Sequence, residues 1–263
     1  MSELTDGAVC GVDGCSPSPK DSAIDVNLPR PDRALRIEVI SDAICPWCYV
    51  AKRQLDPAIE ILREDLVVTV RWRPFELNPN MPREGRNRRE YRSSKFGSWQ
   101  HSQRLDAQVA AAGRQVGLEF RHDRMDRTPN TFDAHRLVWF AETQGLQDAL
   151  IEGLFAGYFT KGRDIGDRAA LAEIAVEAGL ARVRVEAFLS GEEGGQEVRR
   201  AELMAYERGV SGVPTVIVNG QPAFSGALQT ELMLDKIRAI AAAAPAGDGS
   251  VSSGAVQAGQ PCE

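Results

Sequence analysis

From residue 35 the chain alternates apolar and polar side chains, Leu35-Arg36-Ile37-Glu38-Val39-Ile40, which is the period of a strand. Beyond Ser41-Asp42-Ala43-Ile44 the period changes. Tyr49, Val50, Leu55, Ile59 and Leu62 recur at helical spacing, so a helix is predicted to start at Cys45-Pro46-Trp47-Cys48. Leu66 to Trp72 reads as a second strand, and Pro74, Pro79 and Pro82 make the segment from Arg73 to Arg86 irregular. From Arg88 to about Ala205 only helical periods are found, clearest over Ser98 to Val116, Thr131 to Thr143, Gln147 to Phe159, Arg168 to Ala178 and Ala181 to Leu189. The strand period returns at Thr215-Val216-Ile217-Val218, breaks at the hairpin signal Asn219-Gly220, and resumes at Pro222-Ala223-Phe224. A last helix is predicted from about Gln229 to Ala243.

The order strand, helix, strand, helical block, two antiparallel strands and helix predicts an α/β fold, a thioredoxin-like core carrying a large helical insertion. The divisions expected are a first core part over 34–82, the insertion over 83–195 and a second core part over 196–243. Residues 1–33 and 244–263 are rich in small and polar residues without apolar period, and both are expected to be flexible tails.

Composition narrows the chemistry. The 263 residues carry 37 acidic and 31 basic side chains, a net charge of −6, so no overall positive field recruits nucleic acid or an anionic membrane. Five arginines fall between Arg83 and Arg92, a basic patch expected to be a solvated helix face. No run of about eighteen apolar residues occurs, and Met-Ser-Glu-Leu-Thr-Asp-Gly lacks the basic and apolar start of a secretory signal. A cytoplasmic protein is therefore expected. In that reducing setting the cysteines at 10, 15, 45, 48 and 262 do not suggest a disulfide framework, and a close pair reads as catalytic, redox-sensing or metal-binding.

Cys45 and Cys48 form a CxxC pair at the first turn of a helix. Free backbone N–H groups and the positive end of the helix dipole favour a thiolate there, which makes Cys45 the expected nucleophile. Cys48, one turn on, is placed to close an intramolecular disulfide and resolve a mixed one. Pro46 suits the helix start, where its missing N–H has no intrahelical partner. The same spacing also serves half a zinc site or two incidental thiols, but the other close pair, Cys10 and Cys15, lies in an expected tail, and no metal is assigned. Ser211-Gly212-Val213-Pro214-Thr215 stands directly before the returning strand; its proline fits either an ordinary loop or a cis bond.

Four blocks together, Ser41 to Tyr49, Trp72-Arg73-Pro74-Phe75-Glu76-Leu77-Asn78-Pro79, Asn130 to Arg136 and Gly212 to Thr215, resemble the DsbA-like, FrnE-type thioredoxin-fold family over roughly residues 35–243. The resemblance implies dithiol oxidoreductase or disulfide isomerase activity, with Cys45 as attacking thiol, Cys48 as resolving thiol and Pro214 as a cis-proline. It also implies that the Val213 backbone lies beside the CxxC, open to pair with a substrate segment. Relatives of 2-hydroxychromene-2-carboxylate isomerase and the kappa-class glutathione transferases share this likeness but typically carry serine at the position of Cys45. Cys45 therefore favours disulfide exchange over that alternative, and glutathione is expected as a redox partner and not as a tightly bound cofactor.

Smaller expectations complete the picture. Pro46, Trp47 and His135 are candidate substrate contacts, with Phe75, Glu76 and Asn78 near the same edge. Cys10 and Cys15 are candidates for an accessory redox role; with Cys262 they fit either flexible thiols that relay oxidising equivalents, glutathionylate or cross-link chains, or incidental exposed thiols, the more ordinary case. Protein or small-molecule thiols and disulfides are the expected partners, and the helical insertion offers a surface for a homodimer. A redox-switched binding protein, whose dithiol only reports oxidation state, is the alternative outside enzymes.

Overall fold

The computed structural model describes residues 34–243. Strand β1 (Ala34–Ser41) leads into helix α1 (Pro46–Arg63), and β2 (Val67–Pro74) then runs parallel to β1 with Ile37 opposite Val70. The insertion follows, with a two-residue strand β3 (Arg86–Asn87), helices α2 (Arg88–Phe96) and α3 (Trp99–Gln115), and a second short strand β4 (Arg127–Thr128). Helices α4 (Phe132–Glu142), α5 (Gln147–Phe155), α6 (Arg168–Glu177) and α7 (Arg182–Ser190) continue it, and α8 (Gly195–Glu207) leads back to the sheet. β5 (Thr215–Val218), β6 (Gln221–Ser225) and α9 (Thr230–Ala243) follow.

The main sheet has the order β2-β1-β5-β6, with β5 antiparallel to both neighbours. β5 needs no apolar alternation because it is internal and all four of its residues are buried. Edge strand β2 alternates instead. At the hairpin, Asn219 and Gly220 both adopt positive φ, 49° and 82°, which these two residue types bear at least cost.

The insertion is fastened to the edge of the sheet. The Gln147 side chain accepts from Trp72 N–H at 2.8 Å and donates to the Trp72 carbonyl at 3.1 Å, supplying one residue of a missing strand. Phe155 stacks on Tyr49 of α1 at 5.1 Å and meets Trp72 edge-on at 6.3 Å. Lys52, buried on α1, keeps its charge between Asp56 at 2.9 Å and Asp148 at 3.1 Å. One apolar cluster consequently runs from Ile37 and Leu55 through Leu137 and Leu150 to Leu171.

The β3–β4 ladder was not expected, since two residues per strand cannot express a period. Helix α8 was not among the clearest helical segments either, because Leu203, Met204 and Tyr206 stand exposed and blur its apolar stripe. Cys10, Cys15 and Cys262 lie outside the described residues. Among the described residues no helix is long and apolar enough to cross a membrane.

Because Phe155 joins sheet, α1 and insertion, Phe155→Ala is expected to lower stability by about 3–5 kcal/mol. Urea unfolding followed separately by near-UV and far-UV circular dichroism is expected to keep one shared midpoint. Two separated transitions would contradict a common core.

Candidate active site

Cys45 is the N-cap residue of α1, with φ −90° and ψ 110°, and no side chain caps the helix end. Its own N–H donates to the Asp42 carbonyl at 3.0 Å, and the Cys48 N–H donates to the Cys45 carbonyl at 3.0 Å. The remaining first-turn amides and the positive end of the helix dipole face this position.

Pairing of β1 with β5 sets Ile40 opposite Thr215, which carries the preceding loop to the same end of the sheet. There the Cys45 thiol lies 3.6 Å from the Val213 carbonyl oxygen, to which it donates, and the Val213–Pro214 peptide bond is cis. Thr215 Oγ1 fixes the loop by bonding the Gly212 carbonyl and Ser225 Oγ, each at 2.8 Å. No partner for the Val213 N–H is found among the described residues.

Both cysteines are free thiols, Cys45 5 % exposed and Cys48 fully buried. Burial, then the hydrogen bond and charge of neighbouring Cys45, pushes the Cys48 thiol well up, against opposing bonds from Ser41 and the Asp42 backbone.

Behind the loop sits a cluster of buried titratable groups. Asp42 accepts from Leu77 N–H at 2.7 Å and faces His135 Nε2 at 3.3 Å. His135 is therefore not an open substrate contact; α4 turns it inward, where it is buried against Asp42 and absent from the cavity wall. Glu202 accepts from the Glu76 N–H at 2.8 Å. Burial, reinforced by the Glu202 charge, pushes Glu76 up to about 7 while His135 opposes it. Burial likewise raises Glu202. For His135 burial alone lowers the pKa, but the Asp42 bond and the charges of Asp42, Glu202 and Glu76 outweigh it and hold the imidazole up. Among the described residues no group of three His, Cys, Asp or Glu side chains is arranged to hold a metal ion.

In front of Cys45 a cavity of about 260 Å³ opens between the start of α1 and helices α2 and α3, with Pro46 and Trp47 on its wall. Two of the five clustered arginines depart from the expected solvated face. Arg88 and Arg92 turn inward, each 2.7 Å from Asp106 of α3, while Arg83, Arg86 and Arg89 stay exposed. The inward turn follows from the carboxylate on α3 and from the Trp99 and Phe96 rings, 5.8 and 4.9 Å from the two guanidiniums. Asn78 also lines the cavity, bonded to Tyr91 and to Lys95, whereas Phe75 is buried against Tyr206.

A family model described as a DSBA-like thioredoxin domain matches residues 36–238. The chain belongs to that family. Among solved structures, this DSBA-like protein is 31 % identical to a probable DsbA oxidoreductase from Streptomyces coelicolor, over 78 % of this chain and 89 % of that one, with a TM-score of 0.72. The cytosolic disulfide reductase DsbM from Pseudomonas aeruginosa, solved with GSH, matches at 22 % identity over 79 % of this chain and 96 % of its own, TM-score 0.54. A 2-hydroxychromene-2-carboxylate isomerase matches at 16 % identity over 79 % and 93 % of the two chains, TM-score 0.53, a likeness of fold.

Asp42 and Glu202 were not singled out from the sequence. Glu202 did leave a signal, an acid at a position that shares the buried face of α8 with Val198 and Ala205.

The Glu76 pKa is ordinarily 4.5 and about 7 in the fold, so folding favours the protonated form. The stability it contributes is full below pH 4.5 and is lost as pH rises through about 7. Glu76→Gln is expected to flatten this loss, gaining on the order of 2–3 kcal/mol over wild type at pH 8 relative to pH 4. Urea midpoints at the two pH values measure it, and parallel pH dependence in both proteins would refute it.

Proposed function

We propose that this DSBA-like protein is a thiol-disulfide oxidoreductase that works through Cys45 and Cys48. The observation that carries the reading is the placement of the Cys45 sulfur at an uncapped helix start, 3.6 Å from the Val213 carbonyl beside a cis-proline. Cys45 attacks a substrate disulfide, forming a mixed disulfide and releasing one substrate thiolate. Cys48 then attacks the Cys45 sulfur, closes the internal disulfide and frees the second thiolate. Run backwards, the same steps oxidise substrate thiols. The Val213 N–H, without a partner among the described residues, suits an extended substrate segment pairing as a short added strand, with Pro46 and Trp47 alongside.

A cytoplasmic setting belongs to this reading, with the cytosolic reductase DsbM as a protein of the same fold that works there. Glutathione is the small thiol that would recycle this protein, a role supported by the GSH named with the DsbM structure.

Insulin reduction by dithiothreitol tests the reading. Cys45→Ser is expected to fall to the uncatalysed rate while circular dichroism stays native, and Cys48→Ser is expected to accumulate mixed disulfides visible on non-reducing gels. A wild-type protein without turnover that binds a partner only when oxidised would instead be a redox-switched binding protein.

A further inference from the structure

The cavity beside Cys45 has a composition that disulfide exchange by itself does not require. Most of its wall is apolar, from Trp47, Phe96, Val109, Met125 and Phe159. Its volume is about 260 Å³. Roughly 150 Å³ of dry apolar space already accepts benzene, so a substituted or bicyclic ring has room.

Against this apolar body stands a charged wall. Arg88, Arg92 and Lys95 line it with a single carboxylate, Asp106. His122 adds no lasting charge at neutral pH, because burial, helped by Arg88 and Arg92, lowers its pKa despite Asp106. Both Asp106 oxygens are already engaged, Oδ2 by Arg88 and Oδ1 by Arg92. Arg88 is 3 % exposed, yet its side chain makes one hydrogen bond among the described residues, out of five donors. Burial and the neighbouring Arg88 together lower the Arg92 pKa in spite of Asp106. Arg88 is nearly buried and Arg92 half-buried, while Lys95 at the rim is exposed, so two guanidiniums share one carboxylate inside the wall and a ligand carboxylate would supply the second negative charge.

We propose that this cavity binds small disulfides whose thiol halves join a compact apolar or aromatic body to a carboxylate, the mercapto-acid class. The carboxylate pairs with Arg88 and Arg92, the body fills the apolar part, and the sulfur is presented to Cys45. The inference rests on the exchange chemistry proposed above and names a substrate class for it. The Cys45 thiolate breaks the ligand S–S bond and forms a mixed disulfide, and one mercapto acid leaves with the electron pair. Cys48 loses its proton to solvent and displaces the second, so the protein dithiol is oxidised by two electrons as one disulfide becomes two thiols.

Stopped-flow rates of the reduced full-length chain with dithiobis(nitrobenzoate) and with neutral dithiodipyridine test this. Each rate is divided by that of free glutathione with the same reagent, which removes intrinsic reactivity. The anionic reagent is expected to be favoured about tenfold, the scale of one charge-assisted hydrogen bond. Val109→Trp, which fills the cavity, and Arg92→Gln, which removes a cation, are each expected to bring that ratio close to one. The ratio is taken within each variant, so a general loss of reactivity cancels.

A wild-type ratio near one, or an unchanged ratio in folded Val109→Trp, would overturn the proposal. Failure of the exchange reading would show separately, as absent insulin turnover. In that event calorimetry with naphthoate and neutral naphthamide still decides the site: naphthoate binding lost in Val109→Trp supports it, and no preference for naphthoate rejects it.

Discussion

Everything at the candidate site depends on the pairing of β1 with β5. The two strands are separated by the whole helical insertion, and their register, Ile40 opposite Thr215, brings the Val213 carbonyl to a thiol 168 residues earlier in sequence. A slip of one residue would turn every side chain of β5 to the opposite face. That slip is resisted from several sides. Val216 and Val218 belong to the large apolar cluster while Ile217 belongs to a second one with Ile40 and Phe75, so the two faces of β5 are committed to different cores. The Asn219 side chain adds a lock at the far end, accepting from Arg36 N–H at 3.0 Å.

The insertion then does two things that the sheet cannot do alone. Through Gln147 and Phe155 it closes the edge of β2 and covers α1, which makes it part of the core. Through α2 and α3 it builds the outer wall of the cavity in front of Cys45. The second role explains why Arg88 is buried. A guanidinium at 3 % exposure is tolerated only because Asp106 and the Trp99 ring meet it, and the helix pair that supplies them also fixes where the cations stand relative to the sulfur.

Much of this was legible in the sequence, for identifiable reasons. Long elements with one buried face announce themselves, so α1, the alternating β1 and the Asn219-Gly220 hairpin stood within a residue or two of their observed limits. The CxxC and Val213-Pro214 were legible as local signatures. Features made by distant contacts were not. His135 was a candidate substrate contact, yet it is buried against Asp42, ninety-odd positions away in a loop, which no local pattern reveals. The arginine cluster read as solvated because nothing local reveals Asp106 on the following helix. Glu76 and Glu202 meet only once α8 crosses the end of β2, an encounter that no period along either segment encodes.

The two sulfurs of the CxxC are one helical turn apart, and the fold gives them unlike surroundings. Cys45 sits where backbone N–H groups have no helical partners, beside a cavity and an open peptide N–H. Cys48 is fully buried, and burial together with the nearness of Cys45 keeps it a thiol. On the proposed exchange chemistry, an external disulfide would meet the first sulfur, and the second would have one neighbouring electrophile, Cys45 itself once it carried a substrate. In the proposed exchange, formation of the mixed disulfide at Cys45 would take away the hydrogen bond and charge that help raise the Cys48 pKa, while burial, the larger cause, would remain. The order of the two proposed steps would thus follow from position along one helix and from the depth at which α1 meets the core.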